Sequence, residues 1–333
     1  MDLDVVFLGT SGAVPTAHRG PAASLVRHGG DRILIDCGEG TQRQLLRSGF
    51  GLADVDLILL THFHADHTLG LPGMLKTFAL RGRDAPLTVV GPVGLNGFMR
   101  YLERLFGRLT FEVSYREVSP GDPIVCEHYR IEPVETDHGG PSLGYALCEP
   151  MRPGQFDVDA AKALGVPAGP LFGKLQHGEP VTLDSGVTVA PEQVVGVARP
   201  GRRVVFTGDT RPSPAVLAAA AGADLLVHEA TFLEEEAARA ADTGHSTALE
   251  AATLARDAAV SLLALTHLST RHTARQVRDE ARSVFPETVV PRDFDVIEVP
   301  FRERGAPRLI RPDEREPDVD APEVAEPETV PGP

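Results

Sequence analysis

The chain has 333 residues, 42% of them hydrophobic, enough for one large globular domain or two small ones, and a formal net charge of −15 that argues against gripping nucleic acid by general basicity. No run of about 18 apolar residues occurs. The N-terminus passes from Met1-Asp2-Leu3-Asp4 straight into strand-like Val5-Val6-Phe7-Leu8 without a basic region or cleavage site, which argues against membrane spanning and secretion.

The next strong element is an apolar run over residues 55–60, which reads as a buried strand and discharges into Thr61-His62-Phe63-His64-Ala65-Asp66-His67. Three imidazoles and a carboxylate within six residues, where a strand ends and the chain turns, form a pattern suited to holding metal. His62 and His64 alternate as strand residues do, and Asp66 and His67 follow where the loop can fold them back toward a second ion. Further along, residues 130–136 lead into Asp137-His138-Gly139-Gly140, residues 203–208 end at Asp209, residues 223–227 end at His228-Glu229, and residues 261–266 end at His267. Helical patterns lie between them over 214–221 and 246–258, the second opening with Ser246-Thr247 as cap. Strands that all release His, Asp or Glu at one edge bring those groups together. The class is α/β, layered sheets with outer helices.

The candidate ligands are His62, His64, Asp66, His67, His138, Asp209 and His267, a number that suits two ions. A natural partition places His62, His64 and His138 on one metal and Asp66, His67 and His267 on the other, with Asp209 bridging. Imidazole-rich ligation favours Zn2+, with Mn2+ or Fe2+ as substitutes, over Mg2+. Zinc can lower the pKa of bound water toward about 7, and a pair of ions about 3.5–4 Å apart stabilises both oxygens of an in-line displacement at phosphorus, so hydrolysis is the expected chemistry.

The His62–His67 signature resembles the metallo-β-lactamase superfamily. Several further segments resemble, within it, the ribonuclease Z family of tRNA 3′-processing endonucleases: 7–16 with Arg19, 34–45, 69–75, His138 with Gly144-Tyr145, Gly208-Asp209-Thr210, and His228-Glu229-Ala230-Thr231-Phe232. The resemblance covers about residues 4–303. It implies an αββα sandwich, two mixed β-sheets flanked by helices, as a catalytic domain over 1–311 with a protruding arm inserted over 151–195. It further implies Asp66 as proton acceptor for the nucleophilic water and His245, supported by Glu229, as the group that protonates the departing ribose oxygen. An imidazole, tunable around about 6.5, suits that task; the competing reading of His245 is a helix-start residue. After His267 the chain reads Leu268-Ser269-Thr270-Arg271-His272, where the family commonly has Phe, Ser and Arg-Tyr, which puts local packing in doubt and makes His272 a tempting false ligand.

The insertion contains Gly165-Val166-Pro167-Ala168-Gly169-Pro170-Leu171-Phe172-Gly173-Lys174, similar to the Gly-Pro motif with which the family's flexible arm holds the tRNA elbow. That resemblance makes Gly165, Pro167, Gly169, Pro170 and Lys174 candidate substrate contacts. It also implies a homodimer, with one subunit's arm serving the other's active site. Arg152, Lys162 and Lys174 are its few basic residues, so such an arm clamps mainly through shape and backbone, as RNA helices are mostly recognised.

Elsewhere plain readings are expected. His228 is structural, because its strand neighbour Glu229 faces the other way; His18, His28, His128 and His177 lack companions and read as surface residues. Cys37, Cys126 and Cys148, odd in number and far apart, read as reduced core thiols of a cytoplasmic protein. From 312 to 333, eight acidic residues against Arg315 alone account for −7, and this Pro-rich stretch without aromatics reads as a disordered tail. The remaining charge therefore leaves room for an RNA substrate. The leading expectation is a two-zinc endoribonuclease acting on precursor tRNA, with neither membrane nor DNA as partner; the alternatives are a small-molecule phosphodiesterase of the same fold and a catalytically silent RNA-binding module.

Overall fold

A computed structural model of the protein describes residues 1–52 and 55–314. Of the acidic tail, only the 3₁₀ turn Pro312–Glu314 falls within that range; the expectation of disorder beyond it lies outside the described residues.

Two mixed sheets face one another. The first orders its eight strands as Arg308–Ile310, Val296–Glu298, Leu3–Gly9, Ala23–His28, Asp31–Ile35, Leu57–Leu59, Leu87–Gly91 and Val113–Glu117, antiparallel up to Asp31–Ile35 and parallel thereafter. The second orders seven as Thr288–Val289, Leu262–Thr266, Leu225–Glu229, Arg203–Phe206, Leu143–Cys148, Arg130–Glu135 and Ile124–Val125, parallel among the first four. Strand alternation splits the apolar residues between two cores. Leu3, Val5 and Phe7 point between the sheets with Ile33, Leu59, Tyr145, Val204 and Val227, whereas Val6 and Leu8 face outward beneath the helices Thr41–Ser48, Gly70–Leu80 and Leu95–Phe106. The other sheet is covered on its outside by Pro214–Ala220, Ala248–Asp257 and Ala274–Arg282. The layering is αββα. Fully burying a side chain the size of Phe7 or Leu8 contributes on the order of 2–3 kcal/mol, so the doubly covered strands are the rigid part of the molecule.

That rigidity sets the strand ends. The buried Tyr145 hydroxyl donates to the Leu60 carbonyl at 2.8 Å, and the Leu143 amide donates to the Thr61 carbonyl at 2.9 Å, fastening the loop after Leu57–Leu59 to the opposite sheet. Ala65 opens the short helix Ala65–Thr68 without positive φ. Gly38 and Gly70 are needed for close approach: a Cβ on Gly38 would lie 2.3 Å from the Asp66 carbonyl oxygen, and one on Gly70 would lie 2.1 Å from that of Gly38. The expected cap of 246–258 is more specific than its first residue suggested. Thr247 accepts from the Glu250 amide and Glu250 returns the bond to the Thr247 amide, a capping box that opens Ala248–Asp257.

Residues between Phe156 and Val195 build a module with its own small core of Ala161, Val166, Leu175, Val181, Val189 and Val194. It carries the helices Val158–Ala163, capped by Asp157, and Pro170–Gln176, together with a two-stranded sheet of Val181–Thr182 and Thr188–Val189. Among the described residues, no helix is long and apolar enough to cross a membrane.

Two of the plain readings need correction. His28 is a buried residue at the end of an inner strand, with Nε2 2.8 Å from Glu149 Oε1 and its ring against Tyr129; it is not on the surface. Cys126 is only half-buried, unlike the core thiols Cys37 and Cys148; all three are free.

Candidate metal centre

The seven candidate ligands converge where the strand ends of both sheets meet. His62, His64, His138 and Asp209 form one group, and Asp66, His67 and His267 another; in each, one ligand atom per residue lies within 4.8 Å of the rest. Asp209 Oδ2 occupies the middle, 3.7 Å from the Nε2 atoms of His62 and His138 and 3.4 Å from those of His67 and His267. Nitrogen also faces nitrogen: His138 Nε2 lies 3.1 Å from His64 Nδ1, and His67 Nε2 lies 3.3 Å from His267 Nε2.

The outer nitrogens explain this orientation. His67 Nδ1–H donates to Asp36 Oδ2 at 2.8 Å and His138 Nδ1–H to the Gly244 carbonyl at 2.7 Å. The Thr61 hydroxyl donates to Asp36 and so accepts from His62 Nδ1–H at 3.0 Å; the Thr231 hydroxyl donates to Glu229 Oε2 at 2.6 Å and accepts from His267 Nδ1–H at 2.9 Å. With their Nδ1 sides held by these partners, His62, His67, His138 and His267 turn Nε2 inward, the arrangement by which surrounding groups orient a metal-ligating histidine. His62 Nε2 and Asp209 Oδ1 are buried with no hydrogen-bond partner among the described residues. Leaving such groups unsatisfied costs about 1–3 kcal/mol each, and a cation relieves that cost, so the donor set fits a divalent metal.

Electrostatics agree. Burial, then the neighbouring imidazoles, push His62 down to about 2, the neutral state a ligand requires. Burial opposes ionisation of Asp209, but the surrounding imidazoles hold it well below the usual carboxylate range. Burial also penalises a charged His67, yet Asp209 and Asp36 outweigh it and raise the imidazole well above its ordinary value; a bound cation would displace that proton. Backbone strain gathers here as well. Ala13, Asp36 and His267 are three of the five described non-glycine residues with positive φ, at 57°, 59° and 58°, conformations that cost of order 1–3 kcal/mol and that the surrounding hydrogen bonds hold in place.

Beside the ligands, His245 Nδ1 donates to Glu229 Oε1 at 2.8 Å and lies 3.9 Å from Asp209 Oδ2. Asp66 Oδ2 accepts from the Ala13 amide at 2.9 Å and lies 3.2 Å from His267 Nε2. His272 is not brought to the centre; its Nε2 pairs with Glu236 at 2.6 Å. His228 is buried and donates from Nδ1 to the Glu229 carbonyl. On the outlying module, Gly165, Pro167, Gly169, Pro170 and Lys174 are all exposed, grouped around the start of Pro170–Gln176. Asp36, Thr61, Thr231 and the Ala13 amide support the site without belonging to the candidate residues legible in the sequence. Asp36 carried a usable signal, since it ends an apolar strand as the ligands do.

The chain matches the family model described as Metallo-beta-lactamase superfamily over residues 18–145 and that described as Beta-lactamase superfamily domain over residues 171–268. It is 45% identical over 303 residues to the ribonuclease Z of Methanosarcina acetivorans, covering 90% of this chain and 99% of that protein, and 47% identical over 305 residues to the ribonuclease Z of Myxococcus xanthus, again covering 90% and 99%. Among solved structures it is similar to the short form of human tRNase Z, at TM-score 0.66 and 28% identity over 89% of this chain and 99% of that one. The metallo-β-lactamase-fold protein YhfI of Bacillus subtilis, at TM-score 0.65 and 20% identity over 90% of this chain and 100% of that one, shares the fold. With this fold, the His/Asp cluster is a divalent-metal centre, and the chain belongs to the ribonuclease Z family of the metallo-β-lactamase superfamily.

Proposed function

We propose that the chain is a zinc-dependent endoribonuclease that removes the 3′ trailer from precursor tRNA, leaving a 3′-hydroxyl on the tRNA and a 5′-phosphate on the trailer. One observation carries the reading beyond hydrolysis in general: a Glu229-anchored imidazole stands beside the seven-residue ligand set. A metal site alone serves many hydrolases, whereas expelling a ribose oxygen at neutral pH calls for a proton donor. His62, His64 and His138 would hold one Zn2+ and Asp66, His67 and His267 the other, with Asp209 between them, two ions per subunit. When bound, the ions supply a water ionisable near neutral pH and neutralise charge on the phosphoryl oxygens.

The chain's own groups do the rest. Asp66, held by the Ala13 amide, takes the proton of the attacking water as its oxygen bonds to phosphorus. The P–O3′ bond breaks, and His245 delivers a proton to O3′. Because Nδ1–H is committed to Glu229, the transferable proton sits on Nε2. The exposed Gly165, Pro167, Gly169 and Pro170 offer backbone to the tRNA, and Lys174 one charge. Arg152 is tied to Glu303 and contributes no free charge. The enzyme acts in the cytoplasm as a homodimer, the arm of one subunit serving the other.

The test is cleavage of a precursor tRNA bearing a 3′ trailer, with both new ends mapped, by the wild type, Asp66→Ala, His64→Ala and a variant in which residues 155–195 are replaced by a short linker. Both point variants should be inactive. The shortened variant should lose tRNA cleavage while still hydrolysing a small phosphodiester. If it cuts tRNA normally, the arm does not hold the substrate; unchanged cleavage by Asp66→Ala or His64→Ala would sink the mechanism.

A further inference from the structure

The outlying module joins the catalytic domain through a narrow neck. Arg152 and Arg199 pair there across two antiparallel segments, the Arg152 amide donating to the Arg199 carbonyl at 2.7 Å and the Arg199 amide to the Arg152 carbonyl at 2.9 Å. Nearer the module Gly154 lies against Gly196, where a Cβ would fall 1.8 Å from the Gly196 oxygen, so the two chains touch through bare backbone. Like charges directly opposite one another destabilise an antiparallel pair. Two arginines at the point where an appendage leaves its domain therefore weaken the neck unless something intervenes.

Glu303 intervenes. Its carboxylate takes Arg152 in a bidentate grip at 2.8 and 3.0 Å and Arg199 Nη1 at 2.9 Å. Each arginine also reaches the opposite neck segment, Arg152 Nη2 to the Pro200 carbonyl and Arg199 Nε to that of Pro153, both at 3.3 Å. The Arg152 guanidinium lies 3.6 Å from the centre of the Phe301 ring. Glu303 itself stands on a fixed platform. It belongs to the 3₁₀ turn Arg302–Arg304 that follows the strand Val296–Glu298, and Arg302 is bound to the buried Asp224 at 2.7 Å. An isolated exposed ion pair is worth little, but a bidentate carboxylate shared by two cations is a network with defined geometry. The same contact ties a segment 104 residues beyond Arg199 and 151 beyond Arg152 to both sides of the neck at once.

We infer that Glu303 is a positioning residue that fixes the direction in which the arm leaves the catalytic domain, and through that direction sets the affinity for the folded RNA substrate. The second clause rests on the proposed role of the arm; the first does not. It assigns Arg152 and Arg199 to the hinge and leaves Lys162 and Lys174 as the arm's basic contacts.

The test is Glu303→Gln in the full-length, metal-loaded protein, read in two ways. Amide hydrogen exchange should quicken at Arg152 and Arg199 on the order of tenfold, while Leu225–Glu229 keeps its protection. With precursor tRNA, KM should rise several-fold and kcat stay within about twofold, a split that general destabilisation would not produce. In a background carrying Arg152→Met and Arg199→Met, Glu303→Gln should change neither readout, because the charges it neutralises are gone. Unchanged exchange at the neck would overturn the inference. So would a fall in KM, which would mean that arginines released from Glu303 bind RNA phosphate instead. A wild-type protein that does not cut precursor tRNA would defeat the functional reading alone, since exchange still judges the hinge.

Discussion

Glu229 Oε1 lies 2.8 Å from His245 Nδ1, with the carboxylate buried and the imidazole ring still 15% exposed. Burial opposes charge on both groups. The mutual hydrogen bond and attraction outweigh it, holding the carboxyl below its ordinary value and the imidazole above. Glu229 also accepts from the Thr210 and Thr231 amides and the Thr231 hydroxyl, so it cannot turn away from the ring. In the proposed mechanism this pair would orient the proton donor while the seven candidate ligands would hold the metal.

Glu229→Gln separates those duties. The amide keeps the volume but loses the charge that favours His245 in its protonated form, so single-turnover cleavage should fall on the order of 10²-fold, at the lower end of what a positioned acid contributes. Bound metal, measured by elemental analysis, should remain near wild type. Loss of metal in step with activity would show instead that Glu229 acts through Thr231 and His267.

Asp36→Asn should do the reverse. Asp36 accepts from His67 Nδ1–H, from the Thr61 amide at 2.8 Å and from the Thr61 hydroxyl, and so orients two candidate ligands without belonging to either candidate group itself. Loss of such a supporting carboxylate weakens metal affinity about 10–100-fold. Competition with a chelator would measure it, and activity should return at high zinc. An unaltered metal affinity would mean that the strained φ of Asp36 serves the turn alone.

These two residues mark the border of what the sequence makes legible. Metal ligands are few in kind and had to follow apolar strands, so His62 to His67, Asp209 and His267 stand out by residue type and place. Asp36 ends a strand in the same way, but one carboxylate without neighbouring imidazoles resembles any turn aspartate. The Ala13 amide leaves no trace, because backbone donors carry no residue identity. His28 misled for a related reason: burial of a lone imidazole depends on Glu149, 121 positions away. The Arg152–Arg199–Glu303 contact is equally silent, since its members meet only after the neck has closed.

Chelation should abolish cleavage, and zinc or manganese should restore it better than magnesium, as expected for a site rich in imidazole. The melting temperature should fall on chelation as well, because a ligand that binds only the folded state stabilises it by mass action. Asp209→Ala removes the carboxylate oxygen that the Nε2 atoms of His62, His67, His138 and His267 surround and should reduce metal content at both positions together. Retention of one full equivalent would show that the two groups bind independently.

Part of the acid sensitivity of the fold should come from Glu149. Burial alone would raise this carboxyl, but hydrogen bonds from His28 and Arg202 bring it down to about 2 from an ordinary 4.5. A carboxyl depressed in the folded state contributes stability that is present above the unfolded value and lost as pH falls through the folded one, so this contribution should drain between about pH 4.5 and 2. Arg202 is buried and also donates to the Val299 and Met1 carbonyls, so Glu149→Gln leaves a charge without its partner and should cost about 3–5 kcal/mol at pH 7. Urea unfolding at pH 7, 5 and 3 checks this. The gap between wild type and variant should be full at pH 7, nearly full at pH 5 and clearly narrower at pH 3, because only the wild type has a carboxylate left to protonate. A gap that stays constant to pH 3 would show that the loss comes from packing around Arg202 and His28, not from the charge on Glu149.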